Sequence, residues 1–192
     1  MISLDEDYIG TDANAIIVRG LKVCGGVVCR LGNGQLLGAH YTSITTTDEI
    51  VTGCSYLVNH WLGGSAVSHM WLVLNLAAWQ SRGDKYANTH TLVSELKILF
   101  RFAGNVMVAD KNIIGPSVDV RMDAGNPPVV AYRLTLPHDP LVNTPTNFVK
   151  YVKTARGAKV PTVRDLDRAY THQVPQTWAG FTPFAAHHYI RL

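Results

Sequence analysis

The chain has 192 residues, a formal net charge of +3 at neutral pH and a hydrophobic content of 47%. Such a length and composition are typical of a globular protein with a substantial core and exclude an intrinsically disordered one. Basic residues occur singly or in pairs, so no nucleic-acid partner is predicted. No apolar run reaches the roughly 18 residues that span a bilayer, and residues 1–10 do not resemble a Sec signal peptide. We therefore expect a cytoplasmic protein, or an effector exported without a Sec signal.

The N-terminal quarter of the chain predicts a β-hairpin. Leu4–Asn14 is acidic and polar and predicts a loop or a ragged first strand, and Ala15–Val18 begins an extended run. Two extended segments follow, Leu21–Leu31 and Gln35–Ser43, joined by the turn Gly32-Asn33-Gly34-Gln35. Because Asn and Gly tolerate the positive φ angles of tight turns, the two segments are expected to pair as a hairpin.

A helix is predicted directly after the hairpin. A threonine N-cap followed by Asp48 and Glu49 suits the positive end of a helix dipole, and Gly63-Gly64 suits its C-terminal end. Between them runs one apolar stripe at helical spacing, made of Ile50, Val51, Cys54, Leu57, Val58, Trp61 and Leu62.

The middle of the chain alternates between strand and helix signals. Ala66–Leu76 predicts a buried strand and Thr89–Phe102 a second helix, followed by short strands at Val106–Ala109, Val118–Met122 and Val129–Leu136. The expected fold class is therefore α/β (α+β), a mixed β-sheet or sandwich with an N-terminal hairpin and two or three packing helices.

The character of the sequence changes beyond residue 136, where prolines indicate a loop. Phe148–Lys153 and Val163–Tyr170 predict short helices, and the aromatic tail Trp178–Leu192 is expected to dock on the body. We therefore divide the chain into a core at 1–136 and a C-terminal extension at 137–192 that packs on it.

Three cysteines, at positions 24, 29 and 54, form no C-x-x-C motif and leave an odd count. This pattern favours reduced thiols over a disulfide framework or a metal site. On a regular strand Cys24 and Cys29 point to opposite faces, which disfavours a bond between them. His187-His188 has no accompanying carboxylate cluster, and the sequence predicts neither a metal nor a cofactor.

The predicted hairpin brings Cys24 close to the level of His40. Counting outward from the turn leaves a mismatch of roughly three residues, which a β-bulge at Gly25-Gly26 would partly absorb. A thiol that faces an imidazole is the minimum unit for activating a cysteine nucleophile, so Cys24 and His40 are the first candidate catalytic pair.

These residues also carry a family resemblance. Gly20-Leu21 shortly before Cys24, Cys29 on the same segment, a turn, and Gly38-Ala39-His40 on the returning segment make up the pattern. It resembles CheD, the chemoreceptor glutamine deamidases, and more distantly the catalytic domain of cytotoxic necrotizing factor toxins. The resemblance extends over roughly Ile16–Leu136, by its order of strands and helices.

The resemblance implies a cysteine-dependent protein glutamine deamidase, of an effector or toxin-like kind, that works through a thioester. Cys24 would attack the carboxamide carbon, and His40 would hold the thiol proton and later activate water. Gly25 and Gly26 would supply oxyanion-stabilising amides. A backbone carbonyl or Thr42 would orient the imidazole, and Thr42 joins the two glycines as a substrate-binding candidate.

The sequence leaves open several alternatives to a deamidase that uses Cys24 and His40. Val51-Thr52-Gly53-Cys54-Ser55 resembles the Leu-x-Gly-Cys motif of the necrotizing-factor-like toxins, which makes Cys54 and His69 a rival pair. A cysteine peptidase or a transglutaminase-like enzyme would share the same opening steps. The second class of function is a non-catalytic interaction or immunity-type binding module, in which the cysteines are structural. The expected partner is a protein substrate, and the sequence indicates no oligomeric state.

Overall fold

The computed structural model describes residues 2–4, 6–135, 149–153, 162–165 and 180–192. Within these residues it contains two β-sheets and three α-helices, which confirms the predicted mixed α/β fold class. No described helix is both long enough and apolar enough to cross a membrane.

The described helices and strands follow one another closely along the chain. The helices are α1 Thr47–Trp61, α2 Leu76–Gln80 and α3 Thr89–Leu99, with short 3-10 turns at Lys85–Ala87, Lys111–Ile113 and Ala186–His188. The strands are β1 Ile2–Leu4, β2 Tyr8–Asp12, β3 Ala15–Leu21, β4 Gly25–Leu31, β5 Leu36–Tyr41, β6 Val67–Leu74, β7 Met107–Asp110, β8 Val118–Asp123, β9 Val130–Leu134, β10 Val149–Lys153, β11 Thr162–Asp165, β12 Thr182–Pro183 and β13 Tyr189–Arg191.

The strands form a small and a large sheet. The small sheet has the five-strand order β1-β3-β8-β9-β12, and the large sheet has the eight-strand order β11-β10-β2-β5-β4-β6-β7-β13. One apolar core lies between the two sheets, where Val18 and Met122 of the small sheet meet Val28 and Val73 of the large one. A second core lies between the other face of the large sheet and the helices. The candidate catalytic residues belong to the first of these layers.

The hairpin of β4 and β5 is present, but its first strand, β4, is shorter than the predicted segment. Leu21–Leu31 is not one strand, because β3 belongs to the small sheet and β4 to the large one. The chain crosses between the sheets at Lys22-Val23-Cys24, after a positive φ of 64° at Gly20. The predicted bulge at Gly25-Gly26 is wrong: β4 and β5 pair without a register shift from Gly25 to Arg30.

The acidic N-terminus is more ordered than the sequence indicated. β1 pairs parallel with β3, and β2 pairs antiparallel with β5. Ile2, Leu4 and Ile9 are fully buried and anchor the two strands in the cores. These few apolar side chains outweigh the polar composition because each has a sheet neighbour to pair with. Glu6 and Asp7 form the connection between β1 and β2.

The first predicted helix is confirmed. The Thr46 side chain caps α1 in a capping box with Glu49, and Ile50, Cys54 and Leu57 of the apolar stripe are buried. Beyond the helix, Gly63 and Gly64 have positive φ angles of 57° and 79°, which side-chain-bearing residues rarely adopt. The second helix and the strands of the middle region are also confirmed, with boundaries shifted by a few residues.

The helices predicted for the C-terminal part of the chain are not borne out where the structure describes it. The helix predicted at Phe148–Lys153 is wrong, because Val149–Lys153 is a strand paired with β2. Residues 162–165 form a strand as well, where a helix beginning at Val163 was predicted, and the rest of that segment lies outside the described residues. In such short segments, pairing with a neighbouring strand outweighs local helical preference.

The last described residues dock on the body, as expected for an aromatic tail. β12 and β13 extend opposite sheets by pairing with β9 and β7. Phe184 and Tyr189 pack against Trp71, with ring centroids 5.2 and 4.7 Å apart. The division of the chain at residue 136 stays a prediction.

Candidate active site

Cys24 and His40 lie on the same face of the large sheet. His40 on β5 is directly opposite Gly26 on β4, and Cys24 immediately precedes β4, two residues before Gly26. Both side chains are fully buried in the layer between the sheets. Extending the alternation of β4 by one residue places Cys24 diagonally across from His40, and the described hydrogen bond of the thiol goes to Glu6 and not to this imidazole. The predicted pair is therefore brought into one neighbourhood.

The nearest polar partner of the thiol is a residue that the sequence analysis missed. The Cys24 thiol donates a hydrogen bond to Glu6 Oε1, with a sulfur–oxygen distance of 3.4 Å. Glu6 lies in the connection between β1 and β2, and its negative charge also acts on His40. The acidic composition of the first residues is the only sequence signal of Glu6, since no spacing rule relates it to Cys24.

His40 is held by a backbone carbonyl, the kind of partner that was predicted, but from β1. Its Nδ1 is 3.1 Å from the carbonyl oxygen of Leu4, and because a carbonyl only accepts, Nδ1 carries the proton. Nε2 is therefore an acceptor. It is buried and has no hydrogen-bond partner among the described residues. A buried nitrogen in this state is costly for a purely structural histidine.

Both groups are neutral in this arrangement. Burial, followed by the charge and the hydrogen bond of Glu6, raises the pKa of the Cys24 thiol to about 12. Burial lowers the pKa of His40 to about 4, although the Leu4 carbonyl and nearby carboxylates oppose the shift. The site therefore holds a thiol and a neutral imidazole at rest, whereas the sequence analysis expected a thiolate. Any thiolate must form during the attack on a substrate.

Gly25 and Gly26 are not placed to supply the oxyanion-stabilising amides that were predicted. Gly25 and Gly26 lie in β4, which pairs with β5 on one side and with β6 on the other. In a strand with two neighbours the amides point within the sheet and not toward a substrate. Backbone hydrogen bonds from Lys22 and Val23 instead lower the pKa of Cys24. A contribution that lowers a thiol pKa is the effect of a donor, which makes the N–H groups of Lys22 and Val23 the candidates for stabilising negative charge at this site.

The two glycines serve close packing instead. A Cβ at Gly25 would lie 2.3 Å from Leu74 Cδ2 and 2.8 Å from Trp79 Cζ2, and one at Gly26 would lie 2.9 Å from Val18 Cγ1. Neither position has room for a side chain.

Gly25→Ala is therefore expected to lower the free energy of unfolding by about 1–3 kcal/mol, the usual range for overpacking a core. Gly83→Ala is the matched control, because nothing lies within 4 Å of a Cβ at Gly83. Urea unfolding of both variants measures the effect. Equal stability of the two variants would contradict the steric role of Gly25.

Thr42 takes part in a turn and does not orient His40. Its amide donates to Thr45 Oγ1 at 2.9 Å, and the two threonine hydroxyl oxygens are 3.0 Å apart. Thr45 in turn donates to Asp7 Oδ1 at 3.1 Å. Thr42 therefore helps to hold the β1–β2 connection that carries Glu6, and its predicted role in substrate binding stays a prediction.

The structure does not bring Cys54 and His69 together. Cys54 lies on the buried face of α1, with its sulfur 3.9 Å from the Tyr41 hydroxyl oxygen. His69 lies on β6 opposite Arg30, whose Nε donates to the Ala124 carbonyl beyond β8 of the small sheet. The two candidates are thus on opposite faces of the large sheet. Cys29 is also on the helix side, as the odd spacing from Cys24 predicted.

A cavity opens beside the candidate site. Its volume is about 490 Å³, and it is lined by Glu6, Arg19, Gly20, Lys22, Ser117 and Thr135. Glu6 is thus shared between this cavity and the Cys24 thiol. A larger cavity of about 660 Å³ lies at the start of α1 and is lined by none of the cysteines or histidines.

Among the described residues, no group of three His, Cys, Asp or Glu side chains is placed to hold a metal ion. Comparison with protein-family models, with curated proteins and with solved structures found no match to this chain. Any assignment of function therefore depends on the chemistry of the site alone.

Proposed function

We propose that this protein is a cysteine-dependent hydrolase of side-chain carboxamides, with a glutamine of a protein substrate as its target. The observation that supports the proposal is the contact of Cys24 with Glu6, together with a buried imidazole nitrogen of His40, on the same face of the large sheet, that has no partner among the described residues. A carboxylate can accept the thiol proton, and Nε2 of His40 can accept a second one from water. Hydrolysis through a thioester requires a thiol and at least one base, and this site offers a candidate base for each half of the reaction.

In the first half of the reaction, Cys24 Sγ attacks the carboxamide carbon while Glu6 takes the thiol proton. The C=O electron pair moves to oxygen, where the N–H groups of Lys22 and Val23 stabilise the negative charge. The oxyanion then collapses and the C–N bond breaks. The leaving nitrogen takes the proton from Glu6 and departs as ammonia, which leaves a thioester on Cys24.

In the second half, His40 Nε2 takes a proton from water, and the hydroxide attacks the thioester carbon. Collapse of this second oxyanion breaks the C–S bond, and the imidazolium returns its proton to sulfur. The products are glutamate and ammonia, and the thiol is regenerated. Because Cys24 is fully buried, substrate has to approach past Glu6, from the cavity that Glu6 and Lys22 line.

Mass spectrometry of a treated lysate tests the proposal. Wild type is expected to convert glutamine to glutamate in a host protein, a shift of ~1 Da, and Cys24→Ala is expected to abolish it. Cys29→Ala is the matched control, since Cys29 is an equally buried free cysteine on β4, the strand that directly follows Cys24, and faces the helices. Glu6→Gln is expected to slow the reaction by roughly 10²-fold, the usual effect of losing a general base.

The same spectra distinguish the related chemistries. Cleaved peptides would indicate a peptidase, and mass gains from amine incorporation would indicate a transglutaminase-like enzyme. A modification that persists in Cys24→Ala contradicts the role assigned to this thiol.

A non-catalytic binding module is the second candidate. It is favoured by the burial of all three cysteines, whose pKa values are all raised above the ordinary thiol value. If the wild type modifies no protein and its three thiols react equally slowly with a neutral alkylating reagent, this candidate replaces the enzyme.

A further inference from the structure

We propose that the cavity beside Cys24 recognises a carboxylate of the substrate through Lys22, so that the preferred glutamine either adjoins an acidic residue or carries its own α-carboxylate. The inference rests on the proposed hydrolase and specifies its substrate class.

The position of Lys22 relative to the nucleophile is fixed by a backbone clamp. Asn75 Nδ2 donates to the Lys22 carbonyl at 2.7 Å, and the Asn75 amide donates to the Cys24 carbonyl at 3.1 Å. Asn75 is itself held by Asn112, whose side-chain amide donates to Asn75 Oδ1 at 2.8 Å. The clamp holds the backbone of the segment that carries both the cation and the thiol, two residues apart.

Three charged side chains line the cavity, those of Glu6, Arg19 and Lys22. Arg19 is engaged in an interaction of its own. The Glu6 carboxylate accepts the hydrogen bond of the Cys24 thiol, and the Lys22 side chain makes no ion pair with any described residue. The exposed Lys22 ammonium is therefore a cation available at the mouth of the cavity.

Ser117 and Thr135, the two hydroxyl side chains that line the cavity, already have hydrogen-bond partners. Ser117 Oγ donates to Thr135 Oγ1 at 3.0 Å, and Thr135 donates to the buried carboxylate of Asp119 at 2.9 Å. Asp119 in turn pairs with Arg133 at 3.2 Å. Because this carboxylate is matched by its own arginine, it does not cancel the charge of Lys22. A substrate carboxylate is the group that complements the mouth of the cavity.

Blocked peptides of equal length test the inference with the full chain. The acidic probe contains Ala-Glu-Gln-Glu-Ala, the neutral probe Ala-Ala-Gln-Ala-Ala and the basic probe Ala-Lys-Gln-Lys-Ala. A fourth probe, a neutral peptide ending in glutamine with a free carboxylate, separates the α-carboxylate from the acidic side chain. The readouts are kcat/KM for ammonia release, and peptide binding to Cys24→Ala by calorimetry.

One favourable charge interaction at a solvent-facing site predicts that wild type prefers the acidic probe over the neutral one by about five-fold. Lys22→Gln is expected to abolish this preference, and Lys22→Glu to reverse it toward the basic probe. Lys97→Gln on α3 removes a cation far from the cavity and is expected to change nothing.

The outcomes separate the two proposals. Hydrolysis of all probes at equal rates overturns the charge inference and leaves the hydrolase standing. Selective, Lys22-dependent binding of a carboxylate probe without hydrolysis supports the inference and overturns the hydrolase. A peptide set that is neither bound nor hydrolysed overturns both.

Discussion

Replacing Asp119 by alanine is expected to lower the free energy of unfolding by about 3–5 kcal/mol, the usual effect of removing one partner of a buried ion pair. Asp119 on β8 is fully buried, and its Oδ2 is 3.2 Å from Arg133 Nε. Its Oδ1 accepts the Gly20 amide and the Thr135 hydroxyl, each at 2.9 Å. The substitution leaves all three donors without this acceptor, in a region from which water is excluded.

Urea unfolding measures the effect, as a lower midpoint at unchanged slope. Asp119→Asn keeps an oxygen for Gly20 and Thr135 and loses only the charge, so its destabilisation is expected to be smaller. Asp48→Ala is the surface control, because this exposed residue in the first turn of α1 contributes about 0.5 kcal/mol through the helix dipole. Equal losses for Asp119→Ala and Asp48→Ala would contradict the buried network.

The Asp119 network also bears on the candidate site. Gly20, with its positive φ of 64°, is where the chain turns out of the small sheet toward Cys24. Since Asp119 holds the Gly20 amide, its loss is expected to loosen the Lys22–Cys24 crossing as well as the sheet. Any activity is therefore expected to fall in Asp119→Ala even at a temperature where the variant stays folded.

His40 is expected to destabilise the protein by about 3 kcal/mol by pH 4, relative to neutral pH. Its pKa is about 4 in the folded protein, against 6.5 for an unperturbed histidine. Since the folded pKa is depressed, the unfolded chain binds the proton more tightly. The contribution of His40 to stability is therefore complete above pH 6.5 and is lost as the pH falls through 4.

His40→Asn isolates this effect, because an asparagine amide can donate to the Leu4 carbonyl in place of Nδ1 but does not titrate. Unfolding free energies at several pH values are expected to fall less steeply between pH 6.5 and 4 for this variant than for wild type. The control is His90→Asn, which removes an exposed histidine on α3. Parallel pH profiles for wild type and His40→Asn would show that His40 is protonated without penalty.

Comparison of the sequence with the fold shows which signals were strong. The capping residues and the seven-residue stripe predicted α1 because a long amphipathic helix carries its own periodicity and its own stop signals. The turn at Gly32-Asn33-Gly34 similarly predicted the β4–β5 hairpin. The errors at Leu21–Leu31 and Phe148–Lys153 arose where apolar segments have no periodicity that distinguishes one sheet from two, or strand from helix.

The sequence located some residues of the candidate site and missed others, for the same physical reason. Position along the chain was enough to relate Cys24 to His40, since hairpin pairing is set by a local turn. It was not enough to find Glu6 or Lys22, whose positions near the thiol depend on where the chain crosses between the sheets. It also misassigned Gly25 and Gly26, because a central strand commits their amides to its neighbours.

The sequence alone therefore determined α1, α3 and the β4–β5 hairpin, all of which depend on contacts between residues close along the chain. Tertiary structure decided the protonation states, the neighbours of the thiol and the face on which Cys54 lies. The physical reason is that burial and charge act through space and not along the chain. The hydrogen bond from Cys24 to Glu6 joins two residues whose proximity no local sequence pattern encodes.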